Sequence, residues 1–166
     1  MKPEILPAMT PPLSRSRVKQ LLTTARQRRI LVVGDLMLDQ FIWGQVSRIS
    51  PEAPVPVVEF TNESCMPGGA ANVARNLSAL RVPTAIFGLV GKDDAGQRLR
   101  RLLLEQAVDC QGVVSQAERL TTLKTRVVAH QQQVVRVDRE TRREADAAST
   151  RRLLKRLEPR IMAAAA

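Results

Sequence analysis

The chain has 166 residues, 44% of them hydrophobic, enough for one domain with a real core and too many for a disordered chain. Its two cysteines, Cys65 and Cys110, have no paired spacing and its lone histidine no ligand motif around it, which argues against a disulfide framework or zinc site and suits a reducing cytoplasm. The net charge of +10 sits at the ends, +6 over 1–29, zero over 30–138 and +4 over 139–166, with three Phe, one Trp and no Tyr; that pattern describes solvated tails and not a nucleic-acid surface, and no apolar stretch has the length of a signal peptide or a membrane span.

Residues 1–15 hold four of the ten prolines, and 1–16 read as a flexible leader ahead of a folded part, 17–166, with Ser16 at the boundary capping a short helix that reaches Arg28. Ile30-Leu31-Val32-Val33-Gly34 is a short apolar run closed by glycine, the pattern of a buried strand in a parallel sheet. Asp35 and Asp39 follow it, at the strand end where open α/β sheets meet their ligands; a turn cap for Asp35 and a solvated position for Asp39 are the plainer alternatives. Residues 40–60 carry apolar positions spaced for two extended segments about a Pro51–Pro56 turn.

Pro67-Gly68-Gly69-Ala70-Ala71-Asn72-Val73-Ala74 places two glycines before a helix predicted over 69–81. Glycines let backbone N–H groups approach a ligand, and a first helical turn leaves such donors unpaired, with Asn72 one turn in to donate and accept. The same residues also suit an ordinary turn into a packed helix. A strand at 84–90, a helix at 94–107 and a strand near 112–114 continue a β-α-β alternation. Gly91-Lys92-Asp93-Asp94 matches neither nucleotide-binding fingerprint, so Asp93 or Asp94 is expected to cap the following helix.

Thr121–Val128 and Gln133–Asp138 predict a hairpin turning at His130-Gln131-Gln132, with His130 at the surface. Lys124, Arg126, Arg136 and Asp138 alternate with apolar residues, so each strand carries its charges on one face. Facing a cleft, these cations would hold a phosphorylated sugar; facing solvent, they would protect a sheet edge. A last helix is expected from Ala147–Ser149 to Leu157.

Taken together, GDLMLD at 34–39, SRISPEAPVPVVEF at 47–60, PGGAANVARNL at 67–77 and GLVGKDDAG at 88–96 resemble the N-terminal half of the ribokinase-like (PfkB) sugar kinases. With the later QQQVVRVDRE, the wording is most similar to the kinases of D-glycero-β-D-manno-heptose 7-phosphate, which serve ADP-heptose and lipopolysaccharide core synthesis. The resemblance covers about residues 29–158. It implies an α/β, mostly parallel sheet flanked by helices, with a small β lid from about 40–60 and 122–138.

It also implies transfer of the ATP γ-phosphate, with Mg²⁺, to the anomeric hydroxyl of a sugar phosphate. Asp39, Gly68, Gly69 and Asn72 would meet the sugar and Lys124 and Arg136 its phosphate. Composition and charge point to a cytoplasmic protein without nucleic-acid or membrane partners, and the short, edge-like lid strands with apolar residues such as Trp43 would let two copies pair through the lid as a homodimer. One departure is large. The family's Gly-Ala-Gly-Asp-type motif, which supplies the anion hole and catalytic base, does not occur in the 166 residues. The expectation is a truncated part with no catalytic base of its own, binding neither ATP nor Mg²⁺ alone, in place of a complete kinase. Two other readings stay open, a ribokinase-like kinase for another sugar and a non-catalytic half-domain acting by association.

Overall fold

A computed structural model describes residues 13–163 in eleven elements. They are α1 (Arg15–Arg26), β1 (Ile30–Val33), β2 (Leu36–Ile49), β3 (Pro56–Gly69), α2 (Ala70–Ala79), β4 (Thr84–Gly91), α3 (Asp94–Glu105), β5 (Asp109–Gln116), β6 (Thr122–Ala129), β7 (Gln132–Arg139) and α4 (Ala147–Ile161). Two sheets result: a parallel one in the order β1-β4-β5, and a lid in the order β3-β2-β6-β7. Within the lid β2 pairs β3 antiparallel and β6 parallel, and β6 pairs β7 antiparallel.

The expected α/β class with a mostly parallel sheet and a β lid is what the chain forms, yet the lid is the larger sheet. Strand β3 runs on to Gly69, through residues 61–67 for which no strand is predicted, because Asn62 to Pro67 each find a partner on β2, with Thr61 left unpaired at a bulge opposite Trp43 and Gly44. One core joins the two sheets. Leu36 and Leu38 at the base of the lid pack with Ala71 and Ala74 of α2, Ile86 and Val90 of β4, Leu99 and Leu103 of α3, and Val113 of β5. Burying the lid's base in the common core fixes where the rest of β2 emerges.

Helix boundaries follow their caps. Ser14, not Ser16, accepts from the Arg17 N–H, so α1 begins at Arg15 and ends at Arg26, short of Arg28; residues 1–12 of the expected leader lie outside the described residues. Asp93 caps α3 by accepting from the Gly96 N–H. Helices α2 and α3 both stop at residues in the left-handed region, Arg81 (φ 63°) and Ala107 (φ 56°). There the N–H groups of Val82 and Val108 turn back to the carbonyls of Leu77 and Leu103, the geometry that satisfies orphan helix-end carbonyls. Helix α4 passes Pro159 and ends at Ile161, four residues beyond the expected Leu157. Its last turn is held by Arg160, which donates to Asp109 Oδ2 at 2.9 Å and to Gln111 Oε1 at 2.6 Å.

Candidate functional site

Strand β1 gives out at Val33, and Gly34 and Asp35 carry the chain directly into β2. Asp39 is therefore a lid residue, inside the second sheet, and does not stand at the end of the first strand as expected from the sequence. The cause is the alternation of Leu36 and Leu38, which are buried and hold β2 in extended conformation from its first residue. Asp35 is exposed and lines a cavity of about 300 Å³ with Gly34, Leu36, Gly88, Arg119 and Leu153. That cavity lies at the carboxyl ends of β1 and β4, where an open α/β sheet takes ligands.

With Leu36 and Leu38 turned to the core, Met37, Asp39, Phe41 and Trp43 share the opposite face of β2. The register sets Asp39 beside Met66 of β3 and Lys124 of β6, and Phe41 beside Ser64 and Arg126. Arg126 Nη1 donates to Asp39 Oδ1 at 2.6 Å, and both side chains are about four-fifths covered, with 22% and 18% left exposed. The Arg126 guanidinium lies 5.4 Å from the centre of the Phe41 ring, which in turn stacks on Trp43 at 5.8 Å between centroids. Trp43 Nε1 donates to Ser64 Oγ at 3.2 Å. Carboxylate, guanidinium and two aromatic rings thus form one continuous surface.

The two glycines do different work there. Gly68 is a buried strand residue opposite Met37, not part of the helix start. A Cβ at Gly68 would stand 2.3 Å from Asp39 Oδ2 and 2.9 Å from Met37 Cγ, so its absence is what gives the carboxylate room. Gly69 turns the chain from β3 into α2 with φ +57°, and a Cβ there would stand 2.7 Å from the Asp35 carbonyl oxygen. That carbonyl accepts from the Ala70 N–H at 3.0 Å. Since Gly69 has no side chain to cap α2, the remaining first-turn donors have no side-chain acceptor from the cap. Asn72 stands in this turn, half-buried, its amide without a hydrogen-bond partner among the described residues.

Lys124 and Arg136 share Asp138. Lys124 Nζ lies 3.5 Å from Asp138 Oδ2, and Arg136 Nε lies 2.9 Å from Oδ1. What desolvation Asp138 suffers pushes its carboxyl up, but the Arg136 guanidinium and the Lys124 ammonium outweigh it and hold the carboxyl below the usual range. The face therefore carries three cations, Lys124, Arg126 and Arg136, against two carboxylates, Asp39 and Asp138. Alternation sets Lys124, Arg126, Arg136 and Asp138 on common strand faces, with Arg126 among the cations that would hold a phosphorylated sugar, but does not show that Arg126 reaches across to Asp39. His130 is exposed at the hairpin turn, with Nε2 3.1 Å from the Val46 carbonyl.

A parallel sheet with a cavity at its strand ends, joined through a common core to a second sheet that sets a carboxylate against Gly68, has the α/β layout of the ribokinase-like kinases. The chain belongs to the pfkB family of carbohydrate kinases, whose family model matches residues 27–162. It is 48% identical over 132 residues to the bifunctional protein HldE of Geotalea uraniireducens, covering 80% of this chain and 27% of that protein. The chain thus spans about a quarter of that relative's length. Among solved structures, a carbohydrate kinase from Agrobacterium tumefaciens matches with a TM-score of 0.62 at 21% identity, over 82% of this chain and 43% of the other. Arabidopsis thaliana ribokinase complexed with ribose and ATP matches with a TM-score of 0.52 at 19% identity, over 68% and 36%. Among the described residues no helix is long and apolar enough to cross a membrane.

Proposed function

We propose that this chain is the sugar-binding half of an ATP-dependent kinase whose acceptor is the anomeric hydroxyl of D-glycero-β-D-manno-heptose 7-phosphate. The observation that carries the reading is Asp39, a largely covered carboxylate with one oxygen engaged by Arg126 and the other set over Gly68. Oδ2 would accept from a sugar hydroxyl, and the Asn72 amide would donate to one hydroxyl and accept from another. Lys124 and Arg136 would turn from Asp138 to the 7-phosphate, the one excess cation of this face matching an added anion. The choice of heptose rests on the wording of the motifs and on the likeness to proteins described as HldE.

Phosphoryl transfer is chiefly positioning and charge stabilisation about an in-line nucleophile. The residues here position the acceptor; a base and an anion hole would come from a Gly-Ala-Gly-Asp-type segment. Mg²⁺ would enter with ATP. The test is the thermal midpoint of the purified chain with heptose 7-phosphate, ribose 5-phosphate and fructose 6-phosphate, because a ligand that binds the folded state alone raises it. Protection by heptose 7-phosphate without ATP consumption supports the reading. Stronger protection by another sugar phosphate transfers the site to that sugar, and protection by none refutes it.

A second reading, compatible with the first, has the lid strands pairing in a homodimer. Its support is the apolar surface on the lid: Phe60 is 66% exposed, Val137 56%, Val135 48% and Trp43 40%, and β3 and β7 are both edge strands. Such surface favours burial at about 25 cal/mol per Å². Light scattering at micromolar concentration separates the cases, a single-chain mass refuting the dimer.

A further inference from the structure

We propose that Arg126 is a positioning residue of the sugar site, which fixes Asp39 so that one chosen oxygen faces the substrate; this rests on the sugar-binding reading above and adds the group that sets the geometry. The Nη1–Oδ1 contact of 2.6 Å takes up one carboxylate oxygen. The other, Oδ2, has no hydrogen-bond partner among the described residues and lies in the room left by Gly68. A carboxylate so held keeps its plane, and with it the direction in which its free oxygen accepts, against rotation about a terminal torsion that is otherwise broad and cheap.

Arg126 is itself held. Its Nη1 also donates to the Lys124 carbonyl at 3.4 Å, and its guanidinium lies against the Phe41 ring. A planar guanidinium fixed on two sides makes a directional donor, whereas a lysine at the same position would offer a point charge on a mobile stem. The charge balance agrees: with Arg126 committed to Asp39, Lys124 and Arg136 are the cations left to answer an anionic group. The site thereby divides its basic residues, one serving orientation and two serving charge.

The test is heptose 7-phosphate titrated calorimetrically into the purified chain and its variants, with Trp43 fluorescence recorded in parallel, since Trp43 is the single tryptophan and stacks on the ring that Arg126 touches. Arg126→Met is expected to weaken binding about tenfold or more, as loss of a charge-assisted contact should. Arg126→Lys should recover part of that loss. In an Asp39→Asn background Arg126→Met should add less than about twofold, because its effect passes through Asp39. Gly68→Ala, which removes no charge, should weaken binding by pushing Oδ2 away. Should Arg126→Met fail to fold, Arg126→Lys and Gly68→Ala carry the test.

Wild-type binding with an unaffected Arg126→Met overturns the inference and leaves the sugar-binding reading standing. So does a full, independent loss in the Asp39→Asn background, which would make Arg126 a direct substrate contact. Absence of binding by the wild type overturns both.

Discussion

Asp39 and Gly68 are a matched pair, 29 positions apart in the chain: the carboxylate needs the space that the glycine leaves. Asp39→Ala is expected to lower affinity for heptose 7-phosphate about tenfold to a hundredfold, the worth of a charge-assisted hydrogen bond of about 1.5–3 kcal/mol. Calorimetric titration reads this directly, and a variant that binds as tightly as the wild type would make Asp39 a spectator. A second carboxylate serves stability. Burial pushes the Asp93 carboxyl up, but hydrogen bonds from the Thr121 hydroxyl, the Thr121 N–H and the Gly96 N–H, with the Arg139 charge, together hold it below the usual range. Its stabilising contribution is therefore present above the ordinary carboxylate value and is lost as pH falls through the lower folded value. Asp93→Ala should cost about 1–3 kcal/mol at neutral pH, with the gap to wild type narrowing in strong acid. Urea unfolding at several pH values checks it, and a gap that widens in acid would contradict the assignment.

At the scale of elements, several turns run on residues that resist the conformation required of them. Ala107 ends α3 at φ 56°, and His130 and Gln131 form the β6–β7 turn at φ 51° and 64°. Replacing Ala107 by Gly should raise stability by about 0.5–1 kcal/mol, the relief of left-handed strain less the added chain entropy. A lower urea midpoint for Ala107→Gly would show that the strain is not there. The same elements explain what the sequence discloses. Strand β1, helix α2, strand β4 and the hairpin are legible because apolar period and punctuation agree at each. The long reach of β3 is not, since Asn62-Glu63-Ser64 lacks alternation and becomes strand only by pairing with β2 beyond the bulge at Thr61. Asp39 and Asn72 are legible as site candidates from their motifs. The Arg126–Asp39 pair is not, because it joins residues 87 apart whose meeting depends on the parallel register of β2 with β6.

For the molecule as a whole, the core runs from the parallel sheet into the base of the lid, so the face bearing Asp39 and Arg126 is set relative to α2 by packing at Leu36 and Leu38. Leu99, fully buried between α3 and that core, should when replaced by Ala cost about 2–5 kcal/mol. It should also weaken sugar binding only as far as the folded fraction falls, which circular dichroism beside calorimetry would separate. On the proposed reading this chain holds a sugar phosphate on the lid face. Titrating D-glycero-β-D-manno-heptose 7-phosphate into the wild-type chain tests it most directly, with the unphosphorylated heptose as comparison. Saturable binding of one sugar phosphate per chain, much weaker without the phosphate, is the predicted result; no saturable heat up to millimolar concentration would contradict it.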